Sequence, residues 1–231
     1  MPAAPIIAAD PHELARIAAA WIADEVRQAV GRGGRCALAL SGGSTPRPAY
    51  ERLAAEPAVP WAAVEIYFGD ERAVPPTDPA SNYRMAREAL LDRVGVSRER
   101  VHRMEADDPD LEAAAARYGA RLPERLDVLV LGMGPDGHTA SLFPHSAALR
   151  ETERKVVAAQ SPVPPLRRLT ITPPVIAAAR RVAVISAGAS KAPIVARVLR
   201  GAWCPEELPA QLAREGTWII DGGAAAALDP R

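Results

Sequence analysis

DVLVLGMGPDGHTASLFP, residues 127–144, is the stretch on which the reading of the fold turns. Asp127 to Leu131 is short, apolar after its first residue, rich in branched side chains and closed by Gly132. That is the pattern of a strand buried on both faces, as in parallel sheets. Gly132-Met133-Gly134-Pro135-Asp136-Gly137 is too dense in Gly and Pro to be anything but a turn. His138 to Phe143 resumes with spacing compatible with a helix. A histidine therefore stands where a strand is expected to pass into a helix, flanked by Asp136, Thr139 and Ser141. In open α/β sheets, ligands bind at that edge.

Working outward, the same strand-then-turn pattern recurs. Cys36 to Leu40 reads as a strand and runs into Ser41-Gly42-Gly43-Ser44, a tight turn, with Thr45 and Pro46 suited to cap and open a helix. Val64 to Phe68 (VEIYF) ends in Gly69-Asp70-Glu71-Arg72. Three charges in a row usually mark a solvated loop, but parallel strands would bring these to the same sheet edge. Arg181 to Ser186 (RVAVIS) runs into Ala187-Gly188-Ala189-Ser190-Lys191, and Thr217 to Ile220 forms a last strand. Lys155 to Ala159 and Arg168 to Thr172 are further strands, and Val101 to Met104 is a minor one. Between them lie helical stretches. Asp10-Pro11-His12-Glu13 opens the first with a capping box, and Leu14, Ile17, Ala18, Trp21 and Ile22 form its apolar stripe. Ser81 caps another after a Pro-rich loop, Ala73 to Ala80, which is either a lid or a plain connection. Asp110 to Tyr118, Pro173 to Ala179, a helix carrying Ile194, Val195, Val198 and Leu199, and Pro205 to Arg214 complete the set. The expectation is α/β: one domain over residues 1–231, with a mostly parallel, Rossmann-like sheet flanked by helices.

Composition narrows the function. Lys+Arg and Asp+Glu both number 28 in 231 residues, so no general basic field draws nucleic acid or an anionic membrane. No apolar run approaches the length of a membrane span. Cys36 and Cys204 are too few for a disulfide framework, and no Cys/His cluster suggests zinc or another metal. The start of the chain lacks the pattern of a secretory signal, and a cytoplasmic protein is expected. An anionic ligand must then be held by a local site.

Right-handed crossovers would gather the turns at one edge. They carry Ser41 to Thr45, Asp70 to Arg72, Asp136 to Ser141 and Ser190-Lys191. Cations and the N–H groups of helix starts are what a phosphate binds. A histidine takes a proton near neutral pH. Asp136 either orients its ring or caps the following helix, and spacing leaves both readings open. His145 reads as a surface residue.

LSGGSTP (Leu40 to Pro46), FGDERAVP with SNYRMA (Phe68 to Pro75, Ser81 to Ala86) and GMGPDGHTASLFP (Gly132 to Pro144) resemble the signature segments of the 6-phosphogluconolactonases. RRLTITPP and the turn Gly188 to Lys191 fall at the matching later positions. The resemblance covers nearly the whole chain. It implies a fold shared with glucosamine-6-phosphate deaminase and hydrolysis of 6-phospho-D-glucono-1,5-lactone to 6-phosphogluconate, without metal or other cofactor. It further implies His138 as general base, assisted by Asp136. Arg72 and Lys191 would hold phosphate and substrate beside Ser44 and Thr45, and Gly42 and Gly43 would offer backbone N–H groups. Arg168 and Asp70 are further candidates at the substrate. A small-molecule substrate is the expected partner, with no nucleic acid and no membrane. The nearest alternative is the deaminase/isomerase, which typically continues DGH with Ile-Ala-Phe-Asn-Glu-Pro. Here Thr139-Ala140-Ser141-Leu142-Phe143-Pro144 has no carboxylate before the proline. A non-catalytic sugar-phosphate sensor is the third reading, and the chain lacks the basic DNA-binding segment one would need.

Overall fold

The computed structural model describes residues 3–228. Its centre is a six-stranded, all-parallel sheet in the order β1-β9-β8-β5-β2-β3. These strands are β1 (Ile6–Ala8), β2 (Cys36–Leu40), β3 (Val64–Phe68), β5 (Val128–Gly132), β8 (Arg181–Ser186) and β9 (Thr217–Asp221). Every residue of β2 is buried, as are Val128 to Leu131 of β5. Covering both faces with helices leaves no room for polar side chains there, and each such Val or Leu contributes about 1.5–3 kcal/mol by burial. The long helix α1 (Pro11–Gly33) starts as its sequence dictates: Asp10 accepts from the Glu13 N–H at 2.8 Å, and Glu13 accepts from the Ala9 N–H at 2.7 Å. Trp21 is half-buried against the core, with the Arg181 guanidinium 6.0 Å from its ring centre.

A second, smaller sheet is antiparallel, in the order β4-β7-β6: β4 (Asp70–Arg72), β6 (Val156–Gln160) and β7 (Arg167–Ile171). The charged DER triplet is thus a strand and not a solvated loop; Asp70 and Glu71 are both buried. One residue joins the two sheets. The Gly69 N–H donates to Leu40 O of β2 at 2.9 Å, while Gly69 O accepts from the Ile171 N–H of β7 at 2.9 Å.

Other expectations shift. Ile6–Ala8 pairs with β9 and was not legible as a strand. Val101 to Met104 shrinks to a single bridge between Val101 and Ile66. Pro205 to Arg214 forms a turn and a 3-10 segment over Pro209–Ala213 instead of an α-helix. Thr45 caps no helix: α2 (Arg47–Leu53) begins one residue later, after Pro46. The remaining helices are α3 (Asn82–Ala89), α4 (Leu111–Arg121), α5 (Pro173–Ala178), α6 (Ala192–Arg200) and α7 (Gly222–Ala225). Ser81 caps α3 and Asp110 caps α4 through their side chains. Among the described residues, no helix is long and apolar enough to cross a membrane, and both cysteines are free.

The largest correction falls on the opening stretch. No helix follows β5: residues 133–146 are turns, held by a bridge between Thr139 and Leu142. Gly137 (φ 82°), Ala140 (φ 48°) and His145 (φ 61°) adopt left-handed conformations that a right-handed helix excludes.

Candidate active site

The turns meet in a cleft of about 610 Å³ at the C-terminal ends of the parallel strands. It is lined by Gly42, Gly43, Ser44, Thr45, Asp70, Arg72, His138, Arg168 and Lys191, so nine of the sequence candidates come together, while Asp136 stands behind His138. A larger and more open groove of about 1110 Å³ runs between Asp110–Glu112 and Ala158–Gln160. It holds two carboxylates, one arginine and no histidine, so its chemistry is poorer.

The imidazole is fixed from three sides. Asp136 Oδ1 lies 2.5 Å from His138 Nδ1 and accepts from the His138 backbone N–H at 3.1 Å. That carboxylate places the ring proton on Nδ1, and Nε2 makes no hydrogen bond among the described residues. The Phe143 ring packs on the imidazole, centres 4.5 Å apart and tilted by 48°. Gly134 forms the underside: a Cβ there would come within 2.1 Å of His138 Cε1 and Nδ1 and 2.8 Å of Asp136 Oδ1. Burial pushes the Asp136 carboxyl up, but the hydrogen bonds and charge of His138 outweigh this and hold it below the ordinary carboxylate value. With no helix to cap, Asp136 serves the ring.

The Ser41–Thr45 turn is held by Tyr50, a fully buried residue whose hydroxyl accepts from the Ser41 N–H (3.0 Å) and donates to Ser41 O (3.1 Å). Tyr118 clips Phe68 at the end of β3 in the same way, at 2.8 and 3.2 Å. The N–H groups of Gly42, Gly43 and Ser44 donate to nothing among the described residues, and the buried Ser41 hydroxyl is likewise unpartnered.

The third wall belongs to the small sheet. Period-two alternation aims Asp70 and Arg72 of β4, and Arg168 and Thr170 of β7, at one face. In register, Asp70 faces Thr170 and Arg72 faces Arg168. Like charges set directly opposite are unfavourable on their own. Burial, then the charge of Arg72, lowers the pKa of Arg168, against the opposing pull of Asp70 and Glu71. The two guanidiniums are anchored elsewhere: Arg72 Nη1 donates to Ala80 O (2.5 Å), and Arg168 donates from Nε to Pro165 O (2.8 Å) and from Nη2 to Ser161 Oγ (3.4 Å). Arg72 Nε is buried without a partner among the described residues. A face with two opposed cations and spare donors is one completed by an anion. Lys191, across the cleft, donates from Nζ to Met133 O at 2.9 Å; burial holds its pKa below the ordinary value against the opposing pull of Asp136.

A family model described as glucosamine-6-phosphate isomerases/6-phosphogluconolactonase matches residues 9–220. The chain belongs to that family. Among its relatives, the 6-phosphogluconolactonase of Streptomyces coelicolor is 39% identical, the match covering 96% of this chain and 94% of that protein. Among solved structures, 6-phosphogluconolactonase from Trypanosoma cruzi superposes with a TM-score of 0.87 at 28% identity, covering 100% of this chain and 99% of that one. A monomeric glucosamine-6-phosphate deaminase has the same fold, with a TM-score of 0.85 at 23% identity, covering 98% of this chain and 100% of that one.

Within this family frame, Asn82 and Asp221 were missed in the sequence, as were the partners of Ser141 and Thr139. Asn82, fully buried, donates from Nδ2 to Asp70 O (2.9 Å) and Asp70 Oδ1 (3.1 Å), while Ser141 Oγ donates to Asp70 Oδ2 (2.7 Å). Gly42 is glycine because the Asn82 amide occupies the space of a Cβ, 1.7 Å away. Thr139 donates to Gly132 O and so ties the His138 turn to β5. Asp221, at the end of β9, accepts from the N–H of Gly188 (3.0 Å to each oxygen) and of Ala224 (2.7 Å), which fixes the turn bearing Lys191. A lone carboxylate before two glycines at a strand end was the one available signal for Asp221.

Proposed function

We propose that this chain is a 6-phosphogluconolactonase, hydrolysing 6-phospho-D-glucono-1,5-lactone to 6-phosphogluconate, the second step of the oxidative pentose phosphate pathway, in the cytoplasm. The observation that carries the proposal is the imidazole engaged at Nδ1 by Asp136 and free at Nε2, in a cleft that also holds Arg72, Arg168 and Lys191. The three cations and the bare N–H groups of the Ser41–Ser44 turn receive the anionic parts of the substrate, phosphate and developing oxyanion. His138 Nε2 takes a proton from water as its oxygen bonds to the lactone carbonyl carbon. The ring C–O bond then breaks, and the imidazolium returns the proton to the departing ring oxygen. General-base assistance contributes about 10²–10⁴-fold and one oxyanion donor about 10²–10³-fold. A strained ester needs no more, so a covalent nucleophile is not required. Asp70 sits with the substrate-binding groups, its carboxylate already taking donors from Asn82 and Ser141.

The deaminase reading loses support at Phe143. Where that family's pattern puts a carboxylate before the proline, this chain packs a phenyl ring on His138. The test is hydrolysis of freshly prepared 6-phosphogluconolactone, coupled to 6-phosphogluconate dehydrogenase and read as NADPH. A rate no greater than spontaneous hydrolysis sinks the proposal, and ammonia released from glucosamine 6-phosphate would favour the deaminase.

A further inference from the structure

Glu71 lies between two residues of the cleft but points away from it. It is 4% exposed, and its carboxylate collects four donors. Oε1 accepts from the N–H groups of Arg72 (2.8 Å) and Asn82 (2.7 Å); Oε2 accepts from the Tyr83 N–H (2.8 Å) and from Ser81 Oγ (3.0 Å). Asn82 and Tyr83 are the first two residues of α3, whose N–H groups have no partner within the helix. A charged acceptor at that end is favoured by the helix dipole as well as by the hydrogen bonds. Glu71 therefore docks the start of α3 onto β4.

Two contacts carry this docking into the cleft. Ala80 O, two residues before the helix, holds Arg72 Nη1. Asn82 Nδ2 holds the backbone and carboxylate of Asp70, and its amide lies over Gly42. The orientation of that amide is decided by charge: reversed, it would aim Oδ1 at the Asp70 carboxylate. We infer that Glu71 is a positioning residue for substrate binding, acting through Asn82 on Asp70 and through Ala80 on Arg72. It touches no substrate. The inference goes beyond the family resemblance and rests on the proposed lactonase reading only for the substrate used to test it. Burial lifts the Glu71 carboxyl above its ordinary range, against the pull of its four donors.

The experiment compares Glu71→Gln with Asn82→Ala, after the wild-type protein has been shown to hydrolyse the lactone. Glu71→Gln keeps the volume and turns one acceptor into a donor facing an N–H; Asn82→Ala keeps the backbone donors to Glu71 and removes the amide that links to Asp70 and lies over Gly42. Each should raise KM about tenfold and leave kcat within about threefold, the equivalent of one lost hydrogen bond in the ground-state complex. Amide hydrogen exchange without substrate should quicken at Asn82 and Tyr83 in Glu71→Gln alone. A wild-type KM in both folded variants overturns the inference, as does a fall in kcat with KM unchanged. Should Glu71→Gln fail to fold, Asn82→Ala decides by the same criterion. If the wild-type protein does not hydrolyse the lactone, the lactonase reading fails separately. The clamp is then judged by titrating each variant with inorganic phosphate, where about tenfold weaker binding supports it and an unchanged Kd overturns it.

Discussion

The two sheets build the cleft by different means. The parallel sheet contributes turns: its two central strands, β2 and β5, are apolar, and the groups that line the cleft begin where the strands stop, at Ser41, Gly132 and Ala187. The small antiparallel sheet contributes the strands themselves, with Asp70, Arg72, Arg168 and Thr170 projecting from one face. A turn is adjustable and offers backbone N–H groups and a precisely backed imidazole, which suits proton transfer. A strand spaces side chains rigidly, which suits the grip on a remote anion. On the proposed function, damage to the His138 turn should appear in kcat and damage to the small sheet in KM.

The strongest attempt to break this division is His138→Ala. It should lower kcat by about 10²-fold or more with KM little changed, measured in the coupled assay on protein whose circular dichroism is unaltered. Full activity would move the base elsewhere. Gly134→Ala should come next, because its methyl group cannot coexist with the present ring position. With every catalytic side chain retained, kcat should still fall, by about 10–10²-fold, as the imidazole is displaced.

The other region is tested by Arg168→Ala and Arg72→Ala. Each should raise KM for the phosphorylated lactone about 10–10²-fold, the worth of a charge-assisted hydrogen bond, with kcat nearly preserved. Unphosphorylated gluconolactone should be hydrolysed equally by wild type and variants. A large kcat effect from either arginine would erase the division.

The smallest effect is on stability. The native Asp136 carboxyl is held below its unfolded value of about 3.9, so its contribution to stability is complete above that pH. It is lost as pH falls from there through the depressed native value. Chemical denaturation of wild type and Asp136→Asn between about pH 5 and pH 2 should show a difference that closes at the acid end.

The same contrast explains what the sequence disclosed. Strands such as VLVL and VAVIS declare themselves because burial on both faces demands unbroken apolar runs. DER does not, since a three-residue strand whose inner face lines the cleft and whose outer carboxylate meets a helix start is charged everywhere and resembles a loop. The glycine-rich turns were legible as a site. Their supports were not: Asn82, Glu71, Asp221 and Tyr50 act on segments remote in sequence, and nothing local distinguishes them from ordinary polar or core residues. The missing helix after His138 has a similar cause. Thr139 and Ser141 turn their hydroxyls to Gly132 and Asp70, and two left-handed residues replace the helical path. Hydrophobic spacing alone does not register such competing bonds.

Gly69 gives the cleft a dimension that its lining does not. By bonding to Leu40 on one side and Ile171 on the other, it stitches the two sheets along the base of the opening. Prising the walls apart at this hinge would break a hydrogen bond to each sheet. On the proposed function, exclusion of oversized sugars falls to the tips of the walls, residues 161–165 and the Ser44 turn. An engineer wishing to admit a bulkier lactone would trim those tips and leave the hinge intact.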